Sequence, residues 1–321
     1  MTQPSNRIRT RVTLLALVMG GSWIISTPPI ATSGLLATDQ TPAVGQEQPR
    51  DRGQGRGRGR RPRTRKVVIA WADTRNGQAQ HEFTSHALAV IERLGYETGM
   101  YDTFIRTDSN IIATTARKTT GEPASGGPSL AMADAIFFLG HRDVPIDAQQ
   151  QAELAAWIRD EGKGFVAAHT ALTAFESWPA FGELLGGRYG GHPWGTTTGT
   201  IINEDPTFPA TKHFGNEPFT FTDEFYQPKD FSRQNARVLL RLDVSTLPAS
   251  DRLLRTDGDF PLAWAKNWGK GRVFYSSLGH AASTWDNRDV QQMYFEALRW
   301  ALGLTEGDAT PRAFPDSKQS R

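Results

Sequence analysis

Four side chains able to transfer protons or bind a metal, His169, His192, Glu224 and His280, each end or adjoin a short apolar run or glycine-rich turn. In Gly162-Lys163-Gly164-Phe165-Val166-Ala167-Ala168-His169-Thr170 a helical pattern stops at Gly162, and the strand-like run that follows ends on a histidine. In an open α/β sheet the carboxyl ends of strands open into the crevice where ligands bind. A lone histidine there can equally be a structural group with a buried partner. Its company favours chemistry, because Asp73, Asn76, His81, His141, His192, the pair Asp223-Glu224 with Tyr226, and His280 also fall at strand ends or in adjoining loops. Imidazoles titrate near neutral pH, so beside carboxylates they serve as general acid and base. Alternatively, two histidines and a carboxylate, here His169, His192 and Glu224, can hold a zinc-like divalent ion. No HExxH or other fixed ligand spacing decides between these uses. His81 and His86 lie five apart on a helical pattern and point in different directions, so they cannot pair on one ion, and His86 reads as structural.

Other chemistries are excluded. The chain has no cysteine, which removes disulfides, thiolate nucleophiles and thiolate metal sites. There is no G-x-S-x-G elbow, and Ser276-Ser277 sits within a strand pattern. Phosphate-binding glycine loops are absent: Gly53 to Gly59 is repetitive, and Gly186 to Gly191 has the wrong spacing. Trp194 beside His192-Pro193, Trp285 after His280 and Tyr226 after the acidic pair offer aromatic faces near polar groups. That combination suits stacking a sugar ring while its hydroxyls are hydrogen-bonded. Trp71, Trp157, Trp264 and Trp300 read as core.

Lys66 to Ala72 is an apolar run of buried-strand type, and a helical pattern from Glu82 carries Phe83, Ala87, Ile91 and Leu94 and stops at Gly95. Strands are predicted at Glu97 to Tyr101 and Asp134 to Gly140. A helix capped by Asp147, with Gln150 three residues on, then leads to the strand ending at His169. This β/α alternation implies a mostly parallel sheet with helices on both faces. Short strands follow at Gly199 to Ile202, Glu217 to Phe225, Arg237 to Asp243 and Pro261 to Lys266, as an antiparallel excursion or an extension of the sheet. Arg272 to Leu278 is a further strand ending near His280. The last helix buries Val290, Met293, Tyr294, Ala297 and Ala301 and stops at Gly303; from Thr305 the chain reads as a loose tail.

The first fifth is different. Arg7, Arg9 and Arg11 precede the apolar run Val12 to Ile25, so residues 1–33 read as a signal peptide and the chain as exported, periplasmic or extracellular. A membrane contact is expected only if that segment is uncleaved. Residues 34–65, rich in Gly and Arg, read as a disordered linker. Residues 1–66 hold 12 of the 36 basic and 3 of the 34 acidic residues, leaving residues 67–321 with 24 against 31. The folded part is therefore acidic, which argues against a nucleic-acid partner.

Lys163 to His169, Gly190-Gly191-His192-Pro193, Thr222-Asp223-Glu224-Phe225-Tyr226, Pro261-Leu262-Ala263-Trp264 and Gly269 to His280 together resemble the ThuA-like (trehalose utilisation) family, in its order and across residues 66–303. The resemblance implies a flavodoxin-like, class I glutamine amidotransferase-like sheet. Amidotransferases of that fold place a cysteine near the position of His169, so glutamine hydrolysis is ruled out here. It also implies sugar catabolism, with a keto-sugar or keto-glycoside, of the 3-keto-disaccharide type, as the small-molecule partner. His169 or His280 would then be the base, Glu224 or Tyr226 the acid, and a metal or His192 would polarise the carbonyl. Elimination with hydration, or isomerisation, would follow. Asp73, Asn76, His81, His192, Trp194, Asp223 and Trp285 would contact substrate. Family members often carry more histidine after the first strand than the single His81 found here. Two readings compete with the enzyme: a non-catalytic carbohydrate-binding domain, and an accessory domain held to an anionic surface by the Arg-Gly linker.

Overall fold

β-branched and aromatic runs without charge are stable as strands only when both sheet faces are covered. Four such runs, residues 67–71, 135–138, 164–168 and 273–276, form the centre of the fold. The computed structural model describes residues 65–315, so the expected signal peptide and nearly all of the linker lie outside the described residues. In chain order the elements are β1 (Lys66–Trp71), α1 (Thr84–Thr98), β2 (Tyr101–Arg106), β3 (Ala135–Phe138), α2 (Ala148–Arg159), β4 (Gly164–Ala168), α3 (Pro179–Leu185), β5 (Arg188–Tyr189), β6 (Thr196–Asn203), β7 (Phe219–Glu224), β8 (Pro228–Lys229), β9 (Arg237–Leu242), β10 (Pro261–Trp268), β11 (Gly271–Ser276), α4 (Ala282–Asp286) and α5 (Arg288–Ala301). One nine-stranded sheet has the order β2-β1-β3-β4-β11-β10-β9-β6-β7, and β5 pairs separately with β8. The first five strands are parallel, and every later pairing is antiparallel. The antiparallel strands thus extend the same sheet.

Alternate residues of the parallel strands face opposite cores. Val68, Ala70, Phe137, Val166 and Phe274 pack under α1 and α5, while Val67, Ile69, Phe138, Phe165 and Tyr275 pack under α2 and α3. The Asp147–Gln150 capping box that starts α2 is present in both directions, and α5 buries the expected stripe. Two boundaries differ from expectation. Helix α1 continues through Gly95 and ends at Gly99, whose φ of 68° is the left-handed terminator. Gly95 is needed for another reason: a Cβ there would lie 2.3 Å from the Tyr101 ring, so its absence lets β2 start against the helix. The strand expected at Glu97 to Tyr101 accordingly begins only at Tyr101. The second difference is the tail, which is docked through Pro315. Arg312 donates to the Glu204 carbonyl, Asp308 pairs with Arg237, and Ala309 is buried. Among the described residues no helix is long and apolar enough to cross a membrane.

Candidate active site

Parallel strands aim their carboxyl ends at one edge, and β4 and β11 are neighbours there. His169 follows β4 directly and His280 lies four residues past β11, so adjacency in the sheet brings two imidazoles together from 111 residues apart: His280 Nδ1 is 3.3 Å from His169 Nε2. Strand β7 runs in the same sense but is four strands beyond β11, about 19 Å away across a flat sheet at about 4.8 Å per strand. The antiparallel part must therefore curl over the edge, and the register shifts between β9 and β10 are irregularities of the kind that bend a sheet. The curl is fastened by Asp223. Its buried carboxylate accepts from the backbone N–H groups of Gly279 and His280 at 2.8 and 3.0 Å. Gly279 sits at φ 146°, a conformation that suits glycine, and a Cβ there would come within 3.0 Å of the Trp285 ring.

The neighbour of Asp223, Glu224, joins the imidazoles. One oxygen, Oε2, is 3.2 Å from His280 Nδ1 and 3.6 Å from His169 Nε2; the other, Oε1, is 3.4 Å from His192 Nε2. His81, from the loop between β1 and α1, packs edge-on to His141, His169 and His280. His81, His169, Glu224 and His280 each place one ligand atom within 4.8 Å of the others. His169 is fully buried, and its φ of 37° is left-handed, a strained setting for a non-glycine residue. Its Nδ1 lies 2.7 Å from the Ser277 carbonyl, which can only accept, so Nδ1 carries a proton and, in the neutral ring, Nε2 turns its lone pair to the cluster. Tyr226 stacks on the same ring at 4.1 Å, Phe83 lies edge-on, and the Tyr275 hydroxyl donates to the His169 carbonyl.

The electrostatics follow from this crowding. Burial pushes Glu224 up, but the close imidazoles of His169, His280 and His192 outweigh it and hold the carboxylate well below its usual range. The hydrogen bond with Glu224 raises His280. Burial, followed by the neighbouring imidazoles, lowers His81 to about 4, and burial with Arg142 and His169 brings His141 to about 4. Burial raises Tyr226, with Glu224 adding to it. A small open cleft of about 40 Å³, lined by Arg142, Leu172, Thr173, Glu176, Arg188, Tyr189 and Lys229, lies beside His141 and His192. The Tyr189 hydroxyl is bonded to His192 Nδ1, and Thr173 is bonded to His141.

Several sequence expectations change. Of the expected metal trio, His169 and Glu224 fall in the close group with His81 and His280, whereas His192 lies outside it and reaches only the outer oxygen of Glu224. Trp285 cannot stack on a sugar. It is fully buried, lies against Tyr294 and Phe83, and donates to the Gly279 carbonyl. Trp194 packs on Phe260 and donates to the Pro248 carbonyl rather than meeting an imidazole. Asp73 and Asp223 are buried scaffold groups, Asp73 accepting from Arg75 N–H and the Ser109 hydroxyl. Asn76 shapes the loop that carries His81 by donating to the His141 carbonyl and accepting from Gln80. Tyr226 is a buried wall. His86 pairs with Asp286 outside the cluster. In the sequence Tyr189 does not stand out, and Ser277 reads only as a strand residue that is no nucleophile; the only signal is their spacing, each three residues before a site histidine.

The sequence profile of the family described as trehalose utilisation, ThuA, matches residues 66–301. Among solved structures, a ThuA-like protein from Bacteroides uniformis is 22% identical with a TM-score of 0.58, over 74% of this chain and 91% of that one. A ThuA-like protein from Parabacteroides merdae is 16% identical with a TM-score of 0.55, over 78% and 95%. Curated proteins give no match. At these identities the structural likeness speaks to the fold, which is glutamine amidotransferase-like, and the profile speaks to descent. With the profile spanning every element from β1 to α5, the chain belongs to the ThuA, or trehalose utilisation, family.

Proposed function

We propose that this protein is an exported enzyme of carbohydrate utilisation that acts on keto-sugars or keto-glycosides. The observation that carries the reading is the strained, fully buried His169, held by Ser277 so that a bare nitrogen meets His280 and Glu224. Strain of this kind is retained where a site needs it, and a sugar-binding surface needs no such cluster. The family description supports the substrate class, and the basic, apolar start of the chain supports export.

A ketone at C3 of a sugar acidifies the C2–H bond. In the proposed reaction His280, the imidazole that Glu224 helps to keep protonated, is the proton donor of the cluster toward the carbonyl oxygen as it gains charge. Exposure assigns the proton transfer. His169 has no exposed surface, whereas the His192 side chain is 38% exposed and is backed by Tyr189 and Glu224, so His192 takes the C2 proton. Electrons from that bond form the C1–C2 double bond as the C1–O bond breaks, and the departing oxygen takes from His192 the proton that it removed; water then adds across the double bond, its OH to C1 and its H to C2. The test is to incubate the purified chain with 3-keto and unoxidised disaccharides and measure released monosaccharide. Selective turnover of the keto compounds, lost in His192→Gln, is expected. A folded protein that binds the compounds without turning them over would replace this reading with carbohydrate binding. Fractionation of an expressing bacterium checks export, which is discarded if the full-length chain remains in the cytoplasm.

A further inference from the structure

We propose that His81, His169, His280 and Glu224 are the protein ligands of one divalent first-row metal ion. The inference deepens the reaction centre proposed above and rests on that reading only for the use of the ion, not for its binding.

Three inter-donor distances carry it. His280 Nδ1, His169 Nε2 and Glu224 Oε2 form a triangle with sides of 3.2, 3.3 and 3.6 Å. Donors at about 2.0–2.1 Å from a zinc-like ion and at the tetrahedral angle lie about 3.3 Å from one another. The triangle thus has the size of one face of a coordination polyhedron, with His81 within 4.8 Å as the fourth donor. Proton counting points the same way. His169 Nε2 and the carboxylate offer only lone pairs, and His280 Nδ1 between them has at most one proton to give. A cation at the centre of the triangle satisfies all three at once.

The surroundings are those of a ligand shell. A metal-bound histidine commonly donates its other ring N–H to a carbonyl or carboxylate, as His169 does to Ser277. Asp223 pins the backbone of His280, and His192 holds the second oxygen of Glu224. The four ligands come from the β1–α1 loop, the end of β4, the end of β7 and the turn after β11, so the sheet fixes their relative positions. Three imidazoles and one carboxylate suit zinc, cobalt or nickel better than magnesium or calcium, which prefer all-oxygen sites. Bound there, the ion would act as a Lewis acid toward a carbonyl oxygen.

The test uses the full chain without a histidine tag, stripped with chelator, and no sugar. Zn²⁺ competition against a chromophoric chelator and Co²⁺ absorption are the readouts. One equivalent per chain is expected, with a visible Co²⁺ band and a raised melting temperature. Glu224→Gln and His280→Gln should weaken binding by more than about 100-fold, His192→Gln by about tenfold as an outer partner, and His86→Gln not at all. Far-UV circular dichroism establishes that each variant is folded. Sub-stoichiometric binding, or affinity equal in wild type and Glu224→Gln, overturns the site. Metal binding without keto-sugar turnover leaves the site standing and removes the proposed reaction; turnover by protein that binds no metal does the reverse.

Discussion

Two polar clusters, one built by the antiparallel extension and one gathered at the edge of the parallel strands, are assembled on opposite rules. Away from the imidazoles, Arg233 makes paired hydrogen bonds to Glu204 and Asp259 at 2.8–2.9 Å, Arg241 reaches Glu204, and Arg237 bridges Asp205 and Asp308. The Arg233 fork meets two carboxylates of matching shape, and Phe314 of the docked tail covers Arg233 and Arg241. Opposite charges, matched donors and acceptors, and burial make this a clamp for the last strands. At the sheet edge, three imidazoles and one carboxylate face one another with more lone pairs than protons, and the backbone of His169 is strained. A group of donors that do not complement one another adds little to stability. It persists because the parallel strands and Asp223 hold it. The difference separates a polar cluster that stabilises the fold from one poised to act on something outside it.

That contrast can be broken from either side. The largest effect expected is on activity: Glu224→Gln should lower turnover of a keto-sugar by about 10⁴-fold, roughly 5 kcal/mol in the barrier, while shifting unfolding free energy by no more than about 1 kcal/mol. Steady-state kinetics and urea unfolding on one preparation check both halves. Next, Arg233→Ala should destabilise the protein by about 3–5 kcal/mol, because two buried carboxylates lose their fork. Activity per folded molecule should survive; its loss would mean that the clamp also sets the site. A smaller effect concerns pH. Burial pushes Asp205 up, but bonds from Thr207 and Arg237 outweigh this and depress it. Its contribution is therefore present above the unfolded carboxyl value of about 4 and is lost as pH falls through the lower folded value. Arg237→Gln should flatten the acid limb of stability against pH measured by urea titration; an unchanged limb would show that other groups set it. The smallest effect is His86→Gln, within about 0.5 kcal/mol, since its pairing with Asp286 is exposed.

Much of the fold was legible because its signals are local. The uncharged run from Gly164 to Ala168 has no stable place except between two covered faces, and Asp147 with Gln150 announces a helix start whatever surrounds it. Gly95 misled because a small residue can end a helix or admit a neighbouring ring, and only the position of Tyr101 decides which. The candidate site was legible as a set of residue types at strand ends, and less so as a set of partners. Trp285 sits five residues after His280, yet faces Tyr294 and the core. His81 had no partner visible along the chain, yet lies among three other histidine rings.

The sequence by itself determined the alternation of strands and helices, the exclusion of cysteine chemistry and the presence of imidazoles at the carboxyl ends of strands. Those follow from side-chain chemistry and from periodicity over a few residues. Tertiary structure alone decided that β11 lies beside β4, that the antiparallel strands curl back far enough for Asp223 to reach Gly279, and that Glu224 meets His280 rather than solvent. The physical reason is distance along the chain. A hydrogen-bonded ladder and a covered core fix strand order across more than a hundred residues, and a site whose donors must lie within a few ångströms is set by that order and by the twist of the sheet.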